Sequence, residues 1–395
     1  MKNDRIVILS AVRTPIGAFQ GDLAALSAPQ LGGVAIEAAV ERSGVEQTLI
    51  DEVILGCVLP AGIGQAPARQ AALNANLPVS VQCSTVSKVC GSGMKAVMNA
   101  YDALYAGSGD VIVAGGMESM SNAPYLLPKV RAGLRMGHAQ LVDHMFFDGL
   151  EDAYFDKGRL MGTFAEDCAS EFQFSRGDQD AYAIASTTRA QHAISDGSFD
   201  WELVPVTVCG KSGDILVERD EQPPKARPEK IGSLKPAFRK DGTVTAANSS
   251  SISDGASALV MTRQSIADNI DVKPVAVVTG HATYAGEPRH FPTAPIGAVG
   301  KLLSRIDWSV SEVDLWEINE AFAVVSMACT KELSLDPHKV NIHGGACALG
   351  HPIGASGARI LVTLIGALRK TGGKRGIACL CIGGGEATAV AIELV

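Results

Sequence analysis

The amino-acid sequence predicts an α/β fold built from two similar halves. Six short, continuously apolar stretches are typical of buried strands, and helical stretches such as LGGVAIEAAVERSG lie between them. This alternation predicts buried, mostly parallel strands that are covered by helices. The six stretches are RIVILS, DEVILGCV, DVIVAGG, PVAVVTG, DLWEIN and GIACLCIGG.

The order of these elements recurs later in the chain. GSGMKAV, a helix and GDVIVAGG correspond to GASGARI, a helix and GIACLCIGGG, and DEVILGC corresponds to VDLWEIN. Corresponding elements of the two copies lie roughly 265 residues apart, a spacing that fits a duplicated domain and is too long for a solenoid repeat. We therefore predict that two similar α/β halves pack together.

A stretch of different character separates the two halves. From about Ser119 to Asn248 the chain mixes Pro, Gly and charged residues, as in RDEQPPKARPEK. Within it, SRGDQDAYAIASTTRAQHAI predicts a helix that Ser175 caps. We assign residues 1–118 and 249–270 to the first half, 119–248 to an inserted loop domain, and 271–395 to the second half. Such insertions often form a lid or a binding surface.

Composition narrows the possible partners and the compartment. The chain has 395 residues, a formal net charge of −8 and no long basic run, so we expect neither nucleic acid nor a membrane surface as a partner. Nine scattered cysteines favour free thiols. The apolar stretches are shorter than a membrane span and MKNDRIVILS lacks a signal-peptide core, so we expect a cytoplasmic protein. No pair has CxxC spacing, so we expect no metal site.

Cys90 is the first candidate for chemistry. It stands in KVCGSG between a probable strand, VQCSTVSK, and a helix that begins within GSGMKAVMNAY. A sulfur at a helix N-terminus is favoured as thiolate by the dipole and by free backbone N–H groups. The alternative is a small buried core residue.

His351 lies in GGACALGHPIGASGAR, in a Gly-rich turn that leads to a helix. A neutral imidazole beside a thiol is a common activating base. Taken by itself, a loop histidine bonded to backbone is the preferred interpretation.

Two further clusters follow strands. Cys381 ends the apolar strand in CIGGGEATAV, and the glycines after it, beginning with Gly383, could present N–H groups to an oxyanion or form only a flexible turn. Asn319, in EINEAFA, lies at the carboxyl end of another strand, where open α/β sheets place ligands or where a polar residue caps a helix.

Together and in this order, KVCGSG, NEAF, GHPIGASG and CIGGG resemble the thiolases, and among them more closely the acetyl-CoA acetyltransferases. SAVRTPIGAFQGDL, GGMESMSNAPY and LKPAFRKDGTVTAANSSSISDGASAL also resemble family segments, so the resemblance covers nearly the whole chain. It implies a layered α/β/α/β/α core, with an inserted loop domain that binds CoA and makes oligomer contacts.

The resemblance implies the reversible condensation of two acetyl-CoA molecules to acetoacetyl-CoA and CoA by ping-pong chemistry. Cys90 would accept the acyl group and His351 its proton, while Cys381 would move the proton at the methyl carbon. Asn319 would hold a water that binds the enolate oxygen with His351. The N–H groups of Cys90 and Gly383 would bind the tetrahedral oxyanion. No metal or redox cofactor is implied, since CoA is substrate and product.

Substrate contacts carry over less completely from the resemblance. Ser250 matches a serine that contacts the pantetheine arm, and Met161 matches a family methionine. Leu160 stands where many acetoacetyl-CoA thiolases have His, so a longer acyl chain could fit. Pro224 stands where relatives often carry an Arg against the adenine, and Lys225 or Arg227 could substitute for it.

Two other functions on the same fold remain open. A broader-chain 3-ketoacyl-CoA thiolase of fatty-acid degradation is the first, and a non-catalytic acyl-CoA or lipid carrier is the second. Decarboxylating condensing enzymes have a Cys-His-His pattern, which the Asn of NEAF and the Cys of CIGGG oppose. A dehydrogenase would need GxGxxG after the first strand, which this chain lacks.

Relatives in the family that the chain resembles are dimers or dimers of dimers. The resemblance therefore implies a homo-oligomer, which we expect to be a homotetramer.

Overall fold

The computed structural model describes residues 4–210 and 213–395. Its main feature is a mixed sheet of ten strands. Including two small ribbons outside this sheet, the strands of the described residues are β1 (Ile6–Arg13), β2 (Gly17–Ala18), β3 (Glu52–Gly56), β4 (Gln82–Val86), β5 (Val111–Ser119), β6 (Tyr125–Leu126), β7 (Val142–Asp143), β8 (Val206–Val208), β9 (Ile215–Val217), β10 (Ser253–Arg263), β11 (Ala276–Ala285), β12 (Leu315–Ile318), β13 (Arg375–Ile382) and β14 (Glu386–Leu394).

The α-helices of the described residues are α1 (Ala28–Ser43), α2 (Pro67–Asn74), α3 (Ser92–Ala106), α4 (Met161–Phe172), α5 (Arg176–Ser195), α6 (Gln264–Asn269), α7 (Ala294–Ile306), α8 (Ala323–Glu332), α9 (Ala346–Leu349) and α10 (Ser356–Thr371). No helix of this part of the chain combines the length and the apolar character needed to cross a membrane. All nine cysteines are free thiols, as the sequence predicted.

The strand order shows the duplication directly. It runs β12-β13-β14-β11-β1-β10-β5-β3-β4, with β2 paired to β10. In the first half β3 and β5 are parallel, while β10 pairs antiparallel with both β5 and β1. In the second half β12 and β13 are parallel, while β14 pairs antiparallel with both β13 and β11. The two predicted halves are therefore confirmed.

The prediction of mostly parallel strands is wrong. Only the pairings β3–β4, β3–β5 and β12–β13 are parallel within the main sheet. A short turn joins β13 to β14, and strands joined this way must run antiparallel. The sequence pattern missed this because a strand buried on both faces is continuously apolar whichever way its neighbour runs.

Helices cover and separate the two halves. Helices α1 and α2 pack on one face of the first half, and α7 packs on the outer face of the second. Helices α3 and α10 lie between the halves, where they pack on each other and on strands of both. Met94 and Ala358, from α3 and α10, lie in one buried apolar cluster with strand residues of both halves. This central layer brings the start of α3 and the start of α10 together.

The segment between β5 and β10 has the expected inserted character. Its strands β6, β7, β8 and β9 form two separate ribbons and do not join the main sheet. Helix α5 begins directly after Ser175, whose hydroxyl accepts from the N–H of Asp178, which confirms the predicted cap. The boundaries of the three predicted units remain a prediction.

A buried ion cluster fastens the inserted segment to the sheet. The Arg13 guanidinium, at the end of β1, lies 2.7 and 2.9 Å from the two carboxylate oxygens of Asp220, and its Nε lies 2.5 Å from Glu202. Bidentate geometry of this kind offsets the cost of burying the charges. The inserted segment is thereby held rigidly beside the central layer of helices.

Candidate active site

Cys90 lies in a sharp turn between β4 and α3. Val89 has a φ of +44°, and α3 begins at Ser92 with Gly91 as its N-cap. A Cβ on Gly91 would lie 2.4 Å from the Cδ1 atom of Ile382, so the turn packs directly on the end of β13. The predicted position of Cys90 at a helix N-terminus is confirmed.

The Cys90 thiol is nevertheless neutral at rest. Burial raises its pKa to about 11. The backbone N–H groups of Gly383 and of Cys90 itself lower the pKa, but they offset only part of this rise. Desolvation therefore opposes the thiolate that the helix start was expected to favour. A base must therefore take the proton as the sulfur attacks.

His351 has a defined tautomer that suits this task. Its Nδ1 lies 2.5 Å from the Ser356 hydroxyl, which donates its only proton to the carbonyl of Pro352 at 3.0 Å. The Nδ1 atom must then carry a proton and donate it, so Nε2 holds a free lone pair. Burial, with a smaller contribution from Arg359, lowers the pKa of His351 to about 3. The imidazole is neutral at physiological pH.

Asn319 follows β12 and reaches the same imidazole. Its Nδ2 lies 3.5 Å from Nε2 of His351, and its backbone N–H donates to the carbonyl of Cys379 on β13. Its Oδ1 is buried and has no hydrogen-bond partner among the described residues. A buried amide oxygen of this kind is suited to a bound water or a substrate.

Cys381 and Gly383 belong to the end of β13 and the turn into β14. Burial raises the pKa of the Cys381 thiol well above its usual range, and the neighbouring Cys90 adds to this. Gly384 and Gly385 have φ of +99° and +83°, values that glycine adopts without strain. This turn directs the Gly383 N–H toward the Cys90 sulfur.

Two polar residues behind the site were missed by the sequence reasoning. Ser356 fixes the His351 ring, and Glu118 accepts from the N–H groups of Gly354 at 2.9 Å and Val58 at 3.0 Å, which holds the loop after His351 in place. Burial raises the pKa of Glu118 to about 7. A glutamate at the end of the apolar stretch DVIVAGGME was the available signal.

An apolar cavity of about 200 Å³ opens in front of these groups. Cys90, His351 and Gly383 line it, together with three residues proposed as substrate contacts: Ser250, Met161 and Leu160. Asn319 and Cys381 are buried beside it and are not among the residues that line it. The remaining wall is largely aromatic and aliphatic, which suits an acyl group.

Lys225 and Arg227 lie elsewhere, on a second cavity of about 480 Å³. Lys230, which the sequence reasoning did not single out, lines the same cavity. Lys225 forms an ion pair with Glu221 at 2.7 Å. Residues 246–247 line this second cavity and residues 249–251 line the first, so one chain segment connects the two.

Comparison with known proteins agrees with the geometry. The thiolase N-terminal domain family matches residues 6–265, and the thiolase C-terminal domain family matches residues 272–394. Acetyl-CoA acetyltransferase 2 of Arabidopsis thaliana is 50% identical over 99% of this chain and 97% of its own length. Acetyl-CoA acetyltransferase of Schizosaccharomyces pombe is 47% identical over the full length of both chains.

Solved structures give the same result. Acat5 thiolase from Ascaris suum in complex with coenzyme A has a TM-score of 0.94 and 44% identity, covering 99% of this chain and 100% of its own. Acetyl-CoA acetyltransferase of Bacillus anthracis has a TM-score of 0.96 and 40% identity, covering 99% of each chain. These matches define the class, which is that of the acyltransferases. Within that class, the chain belongs to the thiolase family, and the predicted fold is confirmed.

The protonated resting state of the Cys90 thiol predicts how the alkylation rate of this residue depends on pH. With the pKa of Cys90 near 11, the thiolate fraction rises about tenfold per pH unit, so alkylation of Cys90 by iodoacetamide should accelerate from pH 7 to 9 without a plateau. Mass spectrometry of the Cys90 peptide measures the rate. A plateau below pH 8 would instead indicate a resting thiolate–imidazolium pair.

Proposed function

We propose that this chain is an acetyl-CoA C-acetyltransferase that interconverts two acetyl-CoA molecules with acetoacetyl-CoA and CoA through an acyl-Cys90 intermediate. The proposal depends above all on the convergence of Cys90, a neutral His351 and the Gly383 N–H on one apolar cavity. The relatives that bear this name match over nearly the whole chain.

In the first half-reaction His351 Nε2 takes the Cys90 proton while the sulfur attacks the thioester carbonyl. Cys90 and His351 are both neutral at rest, so negative charge develops on the carbonyl oxygen only as the bond forms. Hydrogen-bond donors placed at that oxygen therefore stabilise the transition state more than the bound substrate. The N–H groups of Cys90 and Gly383 bind the oxyanion. The carbon–sulfur bond to CoA then breaks, and CoA leaves with the proton from His351.

In the second half-reaction the Cys381 thiol gives its proton to the neutral Nε2 of His351, and the resulting thiolate removes a proton from the methyl group of a second acetyl-CoA. A thiolate whose pKa lies well above the usual range is a correspondingly stronger base toward carbon. His351, with a water held by Asn319, stabilises the enolate oxygen. The enolate carbon attacks the acyl group, the bond from that group to the Cys90 sulfur breaks, and Cys90 takes the proton from His351. In the cleavage direction Cys381 returns the proton to the same carbon.

The CoA molecule would extend from the first cavity to the second along residues 246–251. Ser250 would contact the pantetheine arm, and its hydroxyl is already oriented by the carbonyl of Ala321 at 3.0 Å. Lys225 is neutralised by Glu221, so Arg227 and Lys230 are the stronger candidates for the nucleotide phosphates. No metal or redox cofactor is needed, because these groups supply each proton transfer and oxyanion contact.

The alternative is a thiolase of broader chain length, as in fatty-acid degradation. Leu160 lines the acyl cavity with an apolar side chain. If Leu160 admits longer chains, the ratio of kcat/KM for 3-ketohexanoyl-CoA to that for acetoacetyl-CoA should fall about 10-fold or more in Leu160→His, since burying apolar groups against imidazole is less favourable.

The experiment measures CoA-dependent cleavage of 3-ketoacyl-CoA substrates of increasing length by the purified protein. Cleavage of acetoacetyl-CoA supports the proposed reaction, and an unchanged ratio in Leu160→His removes Leu160 as a determinant of length. If the protein binds acetoacetyl-CoA but cleaves no 3-ketoacyl-CoA of any chain length, the proposed enzymatic function is wrong and the non-catalytic carrier is favoured.

We further propose a cytoplasmic homotetramer in lipid metabolism. Free thiols at all nine cysteines fit a reducing compartment. The edge strand β4 is largely exposed, and the inserted segment exposes the large apolar side chains Leu134, Met136 and Leu141. An unpaired edge and an apolar patch are both suited to contacts between copies. Light scattering of the purified chain measures its mass, and a monomer would contradict the assembly.

A further inference from the structure

Arg359 is a buried charge that the proposed reaction does not use. Its side chain, on α10, is 2% exposed, and none of its guanidinium nitrogens has a hydrogen-bond partner among the described residues. It forms one ion pair, with Nη1 lying 3.7 Å from a carboxylate oxygen of Glu317, which is also 2% exposed. A cation buried with so few partners is costly, so its presence requires an explanation.

The position of the pair suggests that explanation. Arg359 lies one helical turn after Ser356, the residue that accepts from Nδ1 of His351. Glu317 lies on β12 two residues before Asn319, whose amide approaches Nε2 of the same ring. The ion pair therefore connects the helix that holds one side of the imidazole to the strand that holds the other.

We propose that Arg359 and Glu317 act as a positioning pair that fixes α10 against β12 and so holds the His351 imidazole between Ser356 and Asn319. This inference rests on the proposed function, in which His351 accepts the Cys90 proton. Neither side chain touches the substrate cavity. The pair acts through the two residues that orient the base.

The physical reason is that this pair cannot relax. Both groups are enclosed, so water cannot replace the partner if α10 moves away from β12. Any such movement would change the separation of Ser356 and Asn319 and rotate the ring between them. A misplacement of about 1 Å in a proton-transfer geometry can cost a factor of about 100 in rate.

Electrostatics supports the same arrangement. The Arg359 charge contributes to the lowered pKa of His351, which keeps the base unprotonated. Cys90 lines the same cavity as His351, and Glu118 on β5 accepts from the N–H of Gly354 in the loop after it. Burial raises the pKa of Glu317, and the nearby Arg359 opposes that rise by favouring the charged carboxylate.

The decisive variant is the double substitution Arg359→Met with Glu317→Leu. Arg359→Met by itself leaves Glu317 buried and unpaired, so it should lower the melting temperature, whereas the apolar pair should restore it. We expect the double variant to keep the wild-type KM for acetoacetyl-CoA while kcat falls about 10- to 100-fold. Arg369→Met, an exposed arginine on the same helix, is the matched control and should leave both constants unchanged.

A purely structural pair predicts the opposite. In that case the double variant would recover kcat along with stability, and this result would overturn the proposal. If the double variant fails to fold, Arg359→Lys decides the matter: it keeps the charge on a shorter side chain, so kcat should fall several-fold at constant KM. An unchanged kcat in Arg359→Lys would also contradict the inference.

A second measurement does not depend on activity. The short Nδ1–H contact to Ser356 should give a strongly downfield proton resonance, assigned by its loss in Ser356→Ala. This resonance should move upfield in the double variant and stay in place in Arg369→Met. No shift would overturn the positioning role. If the wild-type protein does not cleave acetoacetyl-CoA, the proposed function fails, while this comparison of resonances still tests the positioning pair.

Discussion

Cys90→Ser is expected to lower CoA-dependent cleavage of acetoacetyl-CoA by at least about 10⁴-fold while the fold is retained. The serine hydroxyl holds its proton far more tightly than a thiol, and an imidazole whose pKa is near 3 is a weak base for it. The variant should also fail to form the acetyl-enzyme with acetyl-CoA. Absorbance of the substrate enolate and intact-protein mass measure the two effects.

Cys209→Ser is the matched control, because Cys209 is exposed and lies far along the chain from the catalytic motifs. It should retain wild-type turnover. Thermal unfolding should be nearly the same for wild type and both variants, since exchanging sulfur for oxygen at Cys90 changes little volume. Turnover retained in Cys90→Ser would contradict the proposed mechanism.

Cys381→Ala is expected to separate the two half-reactions. Acetylation of Cys90 should proceed at a rate close to that of wild type, because Cys90, His351 and the Gly383 N–H are unchanged. Condensation should fall about 10³-fold, since the general base for the methyl proton is gone. Intact-protein mass reports the acetyl-enzyme, and acetoacetyl-CoA formation reports the condensation.

Cys379→Ala provides a control on the same strand. Cys379 is buried two residues before Cys381, so its truncation also leaves a small gap in the core. It should lower stability and leave the ratio of condensation to acetylation unchanged. Loss of acetylation in Cys381→Ala would show that the two cysteines do not divide the roles as proposed.

The sequence was informative wherever a local pattern carries its own physical reason. All six apolar stretches are strands in the main sheet, Ser175 caps α5, and Cys90 stands at the start of α3. Strands β10 and β14 were not predicted. SDGASALVMTR and EATAVAIEL mix small and polar residues with apolar ones, so neither is a continuously apolar stretch, although most of their residues are buried.

The prediction that most strands are parallel failed for a related reason. Strand direction depends on which strands become neighbours, and burial on both faces removes the alternation that would reveal an antiparallel pair. The repeat of elements correctly predicted two halves. Only the tertiary structure shows that β1 and β11 join them into one sheet, through the pairs Val7 with Val277 and Ile8 with Ala276.

Motif order in the sequence was sufficient to choose the residues of the candidate site and the family. It could not determine their charge states, because a pKa depends on burial and on neighbours brought from distant parts of the chain. The sequence placed Cys90 at a helix start and so favoured a thiolate. The fold places that thiol at the wall of an apolar cavity, where desolvation raises its pKa more than the backbone N–H groups lower it.

The sequence by itself thus determined the duplicated α/β class and the family, and it selected the thiol, imidazole, amide and second thiol that are proposed for the site. The tertiary structure decided which tautomer His351 adopts, through Ser356 and Pro352, and which carboxylates support the site from behind. It also separated Lys225 and Arg227 from the acyl cavity. These features depend on contacts between residues far apart in the chain, so no local pattern encodes them.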